Sequence, residues 1–156
     1  MVTAGYASDV DAGDISLRNL TYRRFIESGG APSAAEIAEA MGSSVELVHD
    51  GWQRLHDAHA LVLDGDGREL LMVNPFAARP TPFRVEAAGR SWYANCAWDA
   101  FGICAALHAD GEIRTECPDC QTPIHVSVRD ERPDDERLVF HVLVPAVDWW
   151  RDIGFT

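Results

Sequence analysis

The 156-residue chain has no lysine; all 13 basic residues are arginine, set against 25 acidic ones, for a formal net charge of −12. That balance repels phosphate backbones and anionic lipid, which disfavours general nucleic-acid and membrane-surface binding, while it attracts cations. No apolar run approaches the roughly 20 residues that a membrane-spanning helix needs. The opening MVTAGYASDVDAGD has no basic segment leading into an apolar one, so no signal peptide is expected. The expectation is a cytoplasmic protein, whose four cysteines stay reduced. Thiols kept in that state point to metal binding or catalysis more than to disulfides. The length suits one domain, or a small domain fused to a compact second one, with enough chain to bury a core unaided.

Apolar spacing predicts helices over the first third. Leu17, Leu20, Phe25 and Ile26 mark one from Ile15 to Ser28, ended by Gly29-Gly30. Ser33-Ala34-Ala35-Glu36 is a capping box for a second helix running through Met41. Ser43-Ser44-Val45-Glu46 reads as another, opening a third helix with the inward stripe Leu47, Val48, Gly51, Trp52 and Leu55. The period then changes. Ala60–Leu63 and Glu69–Val73 flank the turn signal Asp64-Gly65-Asp66-Gly67, which predicts a hairpin. Three helices and a hairpin over 15–74 read as a winged helix-turn-helix-like module. Its third helix carries Glu46, Asp50 and Asp57 against one Arg54, so no DNA binding is expected of it.

Pro75, Pro80 and Pro82 mark a linker. Residues 81–156 then read as an antiparallel-sheet α+β domain. A hairpin (Phe83–Ala87 and Ser91–Ala94) turns at Ala88-Gly89, and a short helix spans Trp98–His108. Strands follow near Glu112–Glu116, Ile124–Arg129 and Leu138–Val144, then a helical end with Trp149 and Trp150.

The chemistry-bearing residues crowd into 91–125, which holds Cys96, Cys104, Cys117 and Cys120. With Asn95 as N-cap, Cys96 would lie in the first helical turn, where unpaired N–H groups favour a thiolate. Asp99 would stand one turn on, on the same face. The same spacing equally suits Cys96 and Cys104 as small buried side chains, with Asp99 merely favouring the helix start. Cys117-Pro118-Asp119-Cys120 can clasp one soft metal ion or form a redox disulfide. As a zinc site it needs a second ligand pair from Cys96, Cys104, His108 or His125. His125 and His141 are expected as ordinary sheet residues, Trp149 and Trp150 as core or lid, and Asp134, Asp135 and Glu136 as a solvated loop.

Trp92-Tyr93-Ala94-Asn95-Cys96-Ala97-Trp98-Asp99-Ala100 resembles the alkylmercury lyase (organomercurial lyase) family. The later order is similar: Cys117 after a strand, the Thr122-Pro123 turn, the short strand Val126-Ser127-Val128, then Val144-Pro145 and Asp148-Trp149. The resemblance implies protonolytic cleavage of a carbon–mercury bond without a required cofactor, mercury arriving as part of the substrate. It implies Cys96 as first mercury ligand and proton donor, Asp99 as proton relay and Cys117 as a structural position. The family's second mercury-binding cysteine falls in the segment that here reads Asp135-Glu136-Arg137-Leu138-Val139-Phe140-His141, without cysteine, and the sequence stops soon after Trp150. Cys120, Cys104 or an external thiol would then take that part. The rival reading is a non-catalytic binder of zinc, copper or mercury, or a winged-helix metal sensor, acting through Cys117 and Cys120.

Overall fold

A computed structural model describes residues 11–135, 137–139, 142 and 144–153. Three helices come first: α1 (Ala12–Ser28), α2 (Ala34–Met41) and α3 (Val45–Asp57). Asp11 caps α1, and Gly29 ends it in the left-handed conformation that glycine adopts without a Cβ penalty. The Ser33–Glu36 capping box forms as expected. The second box does not. Ser44 rather than Ser43 caps α3, accepting from the Leu47 amide, and Leu47 faces solvent at 62% exposure instead of joining the inward stripe. The inward stripe of α3 is Val48, Gly51, Trp52 and Leu55.

Strands β1 (Val62–Leu63), β2 (Leu70–Val73), β3 (Phe76–Ala77), β4 (Phe83–Ala87), β5 (Arg90–Ala94), β6 (Gly111–Glu116), β7 (Pro123–Arg129) and β8 (Arg132–Pro133) form one antiparallel sheet. Its order is β1-β2-β3-β5-β4-β6-β7-β8. Helix α4 (Ala97–Leu107) lies between β5 and β6 in sequence and packs on β4, β5 and β6. Residues 146–151 form a 3₁₀ helix. The strand expected over 138–144 falls partly outside the described residues, and those described there carry no strand. The protein is thus α+β, with helices and an eight-stranded antiparallel sheet.

β3 was not legible in the Pro-rich linker, yet it carries the sheet from the first hairpin into the second half. Phe76 lies 5.4 Å from the Phe25 ring of α1 and 5.9 Å from the Trp92 ring of β5. The Trp92 indole donates to the Phe25 carbonyl at 3.4 Å. One hydrophobic cluster therefore takes side chains from the three helices, the first hairpin and the second-half strands alike.

Period-two alternation sets the sheet's faces. Val85, Ala87, Trp92, Ala94, Ile113, Val126 and Val128 are buried, whereas Arg84, Arg114, His125 and Arg129 point outward. Cys104 belongs to the inner layer at 2% exposure. A Cβ built on Gly111 would stand 2.6 Å from the Cys104 sulfur and 3.0 Å from the Glu86 carbonyl. Gly111→Ala is therefore expected to destabilise the protein by about 1–3 kcal/mol through overpacking. Thermal denaturation should show part of that loss restored in Gly111→Ala/Cys104→Ala, and an unshifted single variant would disprove the close approach.

Candidate functional site

β5 delivers the chain to the site. It ends at Ala94, where the loop Thr81 hydroxyl donates to the Ala94 carbonyl at 2.6 Å, and three residues later α4 begins. Cys96, not Asn95, is the N-cap of α4; its backbone is extended and its side chain makes no capping hydrogen bond. Sulfur is a poor acceptor in a position that favours Ser, Thr, Asp or Asn. The side chain is thereby left for Asp99, whose Oδ2 lies 3.7 Å from the Cys96 sulfur. Both residues are half-buried.

Burial is the main influence on each group. It pushes the Cys96 thiol upward, and the Asp99 charge adds to that; the amides of Asp99 and Trp98 at the helix start pull the other way without prevailing. The resting thiolate expected from the helix terminus is therefore not favoured: the N–H groups are in place, but desolvation and a neighbouring carboxylate outweigh them. Burial likewise raises Asp99 above the ordinary carboxylate range, opposed by hydrogen bonds from Asn95 and Cys96. A thiol that holds its proton beside a carboxyl that accepts one readily is an arrangement for passing a proton between them.

Sequence reasoning missed the groups that stand around this pair. Asn95 is not a cap; its Nδ2 donates to Asn74 Oδ1 at 3.3 Å and to the Pro75 carbonyl at 3.5 Å, and it also bonds Asp99. The Tyr22 hydroxyl, from α1, donates to the Asn74 carbonyl at 2.8 Å. Burial raises the Tyr22 phenol, the Arg18 guanidinium 4.5 Å over its ring opposes the rise, and the Asp99 charge adds to it. A Cβ on Gly102 would meet Pro75 at 3.1 Å, so α4 lies close against the 74–75 segment. Nothing in the local sequence around Cys96 signals Tyr22, which comes from α1, or Asn74, which lies between β2 and β3.

The remaining cysteines separate. Cys104, eight residues along α4 and so about 12 Å away by helix rise, is sealed in the core beside Gly111; the expectation that it could partner Cys96 is corrected. Cys117 and Cys120 occupy the turn between β6 and β7, with Cys117 half-buried and Cys120 exposed. Strand register relates this turn to Cys96. Ala94 pairs with Phe83, and Arg114 pairs with Arg84, so β5 and β6 flank β4 and end on the same side of the sheet. Two strand spacings put those ends about 10 Å apart.

Among the described residues no group of three or more His, Cys, Asp and Glu side chains gathers to hold a metal ion. The histidines proposed to complete a zinc site are occupied elsewhere: His125 Nε2 lies 2.7 Å from Glu112, and His108 Nδ1 3.4 Å from Glu131. Structural zinc at Cys117 and Cys120 is accordingly unsupported. His141 and Glu136 lie outside the described residues. Trp150 stacks on His59 at 4.0 Å, and the Trp149 indole donates to the Val144 carbonyl. Asp134 accepts from the Ser127 amide, and Asp135 pairs with Arg137. An open groove of about 740 Å³, lined by Arg84, Glu86, Arg90, Asp110 and Glu112, sits by the β4–β5 turn at the opposite end of the sheet from Cys96. No helix among the described residues is long and apolar enough to cross a membrane.

Residues 76–156 match the family described as MerB, alkylmercury lyase. The crystal structure of the mercury-bound form of MerB2 is similar in fold, with a TM-score of 0.66 and 20% sequence identity. The alignment covers 83% of this chain and 62% of that one, so the chain spans less than two thirds of that protein's length. No curated protein matches the chain.

Proposed function

The chain belongs to the alkylmercury lyase family, and from that premise we propose that it cleaves carbon–mercury bonds by protonolysis, with Cys96 as mercury ligand and Asp99 as proton relay. The observation that carries this reading is the 3.7 Å approach of the Cys96 sulfur to Asp99 Oδ2 at the start of α4. Mercury is very soft, so sulfur outcompetes nitrogen and oxygen for it. As the organomercurial arrives, Asp99 takes the Cys96 proton and a sulfur–mercury bond forms. The proton then passes from Asp99 to the carbon. The carbon–mercury electron pair becomes the new carbon–hydrogen bond, and mercury remains on sulfur as mercuric ion. A second thiolate on mercury raises electron density on the carbon; a small cytosolic thiol can supply it.

Asn95 positions Asp99 and is itself held by Asn74, whose carbonyl accepts from Tyr22 and so ties α1 to the site. We read residues 15–74 as a winged-helix-like module that covers the site, and 81–156 as the lyase domain. A DNA-binding use of α3 is disfavoured, because Arg54 is engaged by the buried Asp14 at 2.7 and 2.9 Å rather than displayed toward phosphate.

The test is headspace detection of benzene from phenylmercury, or methane from methylmercury, supplied with a small thiol. Stoichiometric release supports the lyase; its complete absence in folded protein rejects it. The pH profile identifies the relay. In the free enzyme Asp99 must be ionised to accept the thiol proton, so kcat/KM should fall on the acid side as it protonates. Because burial raises Asp99, that fall should come above the ordinary value of 3.8. Asp99→Asn should lose the acid limb and cost about 10²–10⁴-fold in kcat. An unchanged limb would assign it to another group.

A further inference from the structure

The Cys117–Cys120 turn is not used by the chemistry above. Backbone hydrogen bonds fix it as a closed turn. The Cys117 amide donates to the Thr122 carbonyl at 2.9 Å, and the Gln121 amide donates back to the Cys117 carbonyl at 2.8 Å. Gln121 takes a left-handed φ of 57° to close the turn. Pro118 restricts the backbone between the two cysteines. The two cysteines stand three residues apart on this turn, and the Cys120 sulfur lies 3.2 Å from the Thr122 hydroxyl. Two adjacent thiols are too few for tetrahedral zinc. Soft mercuric ion needs only sulfur, and a pair held on one turn binds as a chelate, its second thiol acting at an effective concentration of order mM or above. The turn also stands at the same end of the sheet as Cys96, across the single intervening strand β4.

We propose that Cys117 and Cys120 form a two-thiolate receiving site that takes the mercuric ion from Cys96 after carbon–mercury cleavage. The site deepens the lyase reading and rests on it for the source of the ion. Transfer is ligand exchange with mercury divalent throughout. The Cys120 sulfur bonds mercury as the Cys96–mercury bond breaks, and the Cys120 proton passes to the departing Cys96 sulfur. Cys117 then displaces the small-thiol ligand, which leaves carrying the Cys117 proton. Cys96 is thereby freed for another substrate. Cys120, the exposed member, makes first contact; Cys117 completes the chelate.

The experiment has two arms. In the first, mercuric ion alone is added to Cys96→Ser protein, which is then gel-filtered in about 1 mM glutathione as competing monothiol. One mercury per chain should remain, with Cys117 and Cys120 both shielded from alkylation in mass spectra. Cys96→Ser/Cys120→Ser should retain at least about tenfold less, the chelate having been lost. Equal retention by the two variants, or none by either, overturns the receiving site. In the second arm, wild-type protein is alkylated after a single turnover of phenylmercury. Cys96 should be free and the turn shielded; the converse overturns the transfer. Benzene release with no mercury on the turn rejects the receiving site while leaving the lyase reading intact. Mercury retained on the turn with no benzene released rejects the lyase reading and, with it, the transfer.

Discussion

Cys96→Ser will lower kcat/KM for phenylmercury by about 10³-fold or more while leaving the protein as stable as before, or more so. Under the proposed lyase mechanism, the activity loss follows from losing both the soft ligand and the acid that shuttles its proton through Asp99; general acid–base contributions alone run to about 10²–10⁴-fold, and oxygen is a weak competitor for mercury. The stability outcome follows from position. Cys96 occupies the N-cap of α4 and makes no capping hydrogen bond, whereas serine at an N-cap contributes about 0.5–2 kcal/mol relative to alanine. A serine hydroxyl there can accept from the helix amides that now oppose the rise of the Cys96 thiol. A local rule broken at a site of proposed chemistry is where function and folding preference are expected to part. Product release measured beside thermal denaturation checks both halves. Retained turnover in Cys96→Ser would remove this sulfur from the mechanism; a large fall in Tm would make it a packing residue.

Trp52→Ala should cost about 3–5 kcal/mol, the range for truncating a fully buried large aromatic. Against a typical domain stability of about 5–15 kcal/mol, such a loss leaves a substantial unfolded population in mild urea. Trp52 is 1% exposed in the heart of the helical layer, and its indole donates to the Thr21 hydroxyl at 3.0 Å. Thr21 itself is fully buried and donates within α1 to the Leu17 carbonyl, so truncation removes a buried hydrogen bond between α3 and α1 and leaves the Arg54–Asp14 pair as a remaining polar link. Trp98→Ala is the control. At 65% exposure on α4 its loss should change the urea midpoint little. Because α1 carries Tyr22 into the site, Trp52→Ala should also depress turnover at denaturant concentrations where wild type is still active. A cost below about 1 kcal/mol would show that the helical layer does not depend on this residue.

Much of the local architecture was legible in order of residues. The Ser33–Glu36 box, the Gly29 stop, the Asp64–Gly67 turn and the alternation along β4 to β7 are short-range signals, and each appears where its spacing predicts. Two helix caps are misplaced by one residue, while α1 starts three residues earlier than expected, at Ala12. Ser44 caps α3 in place of Ser43, and Cys96 caps α4 in place of Asn95, because Asn95 is drawn to Asn74, Pro75 and Asp99 instead. The short β3 strand was invisible among prolines, since two residues carry no period and its pairing is entirely long-range.

The order of residues alone determined that Cys96 and Asp99 share the start of one helix, three apart, and that Cys117 and Cys120 share one turn. Those are consequences of chain geometry over a few bonds, which any tertiary setting must respect. Only the folded protein decided that Cys104 is core, that hydrogen bonds join Tyr22 through Asn74 to Asn95 beside the Cys96–Asp99 pair, and that the two thiol-bearing turns end on the same side of the sheet. It also decided the direction of each titration, because desolvation depends on which distant side chains cover a group, and no spacing along the chain encodes that cover.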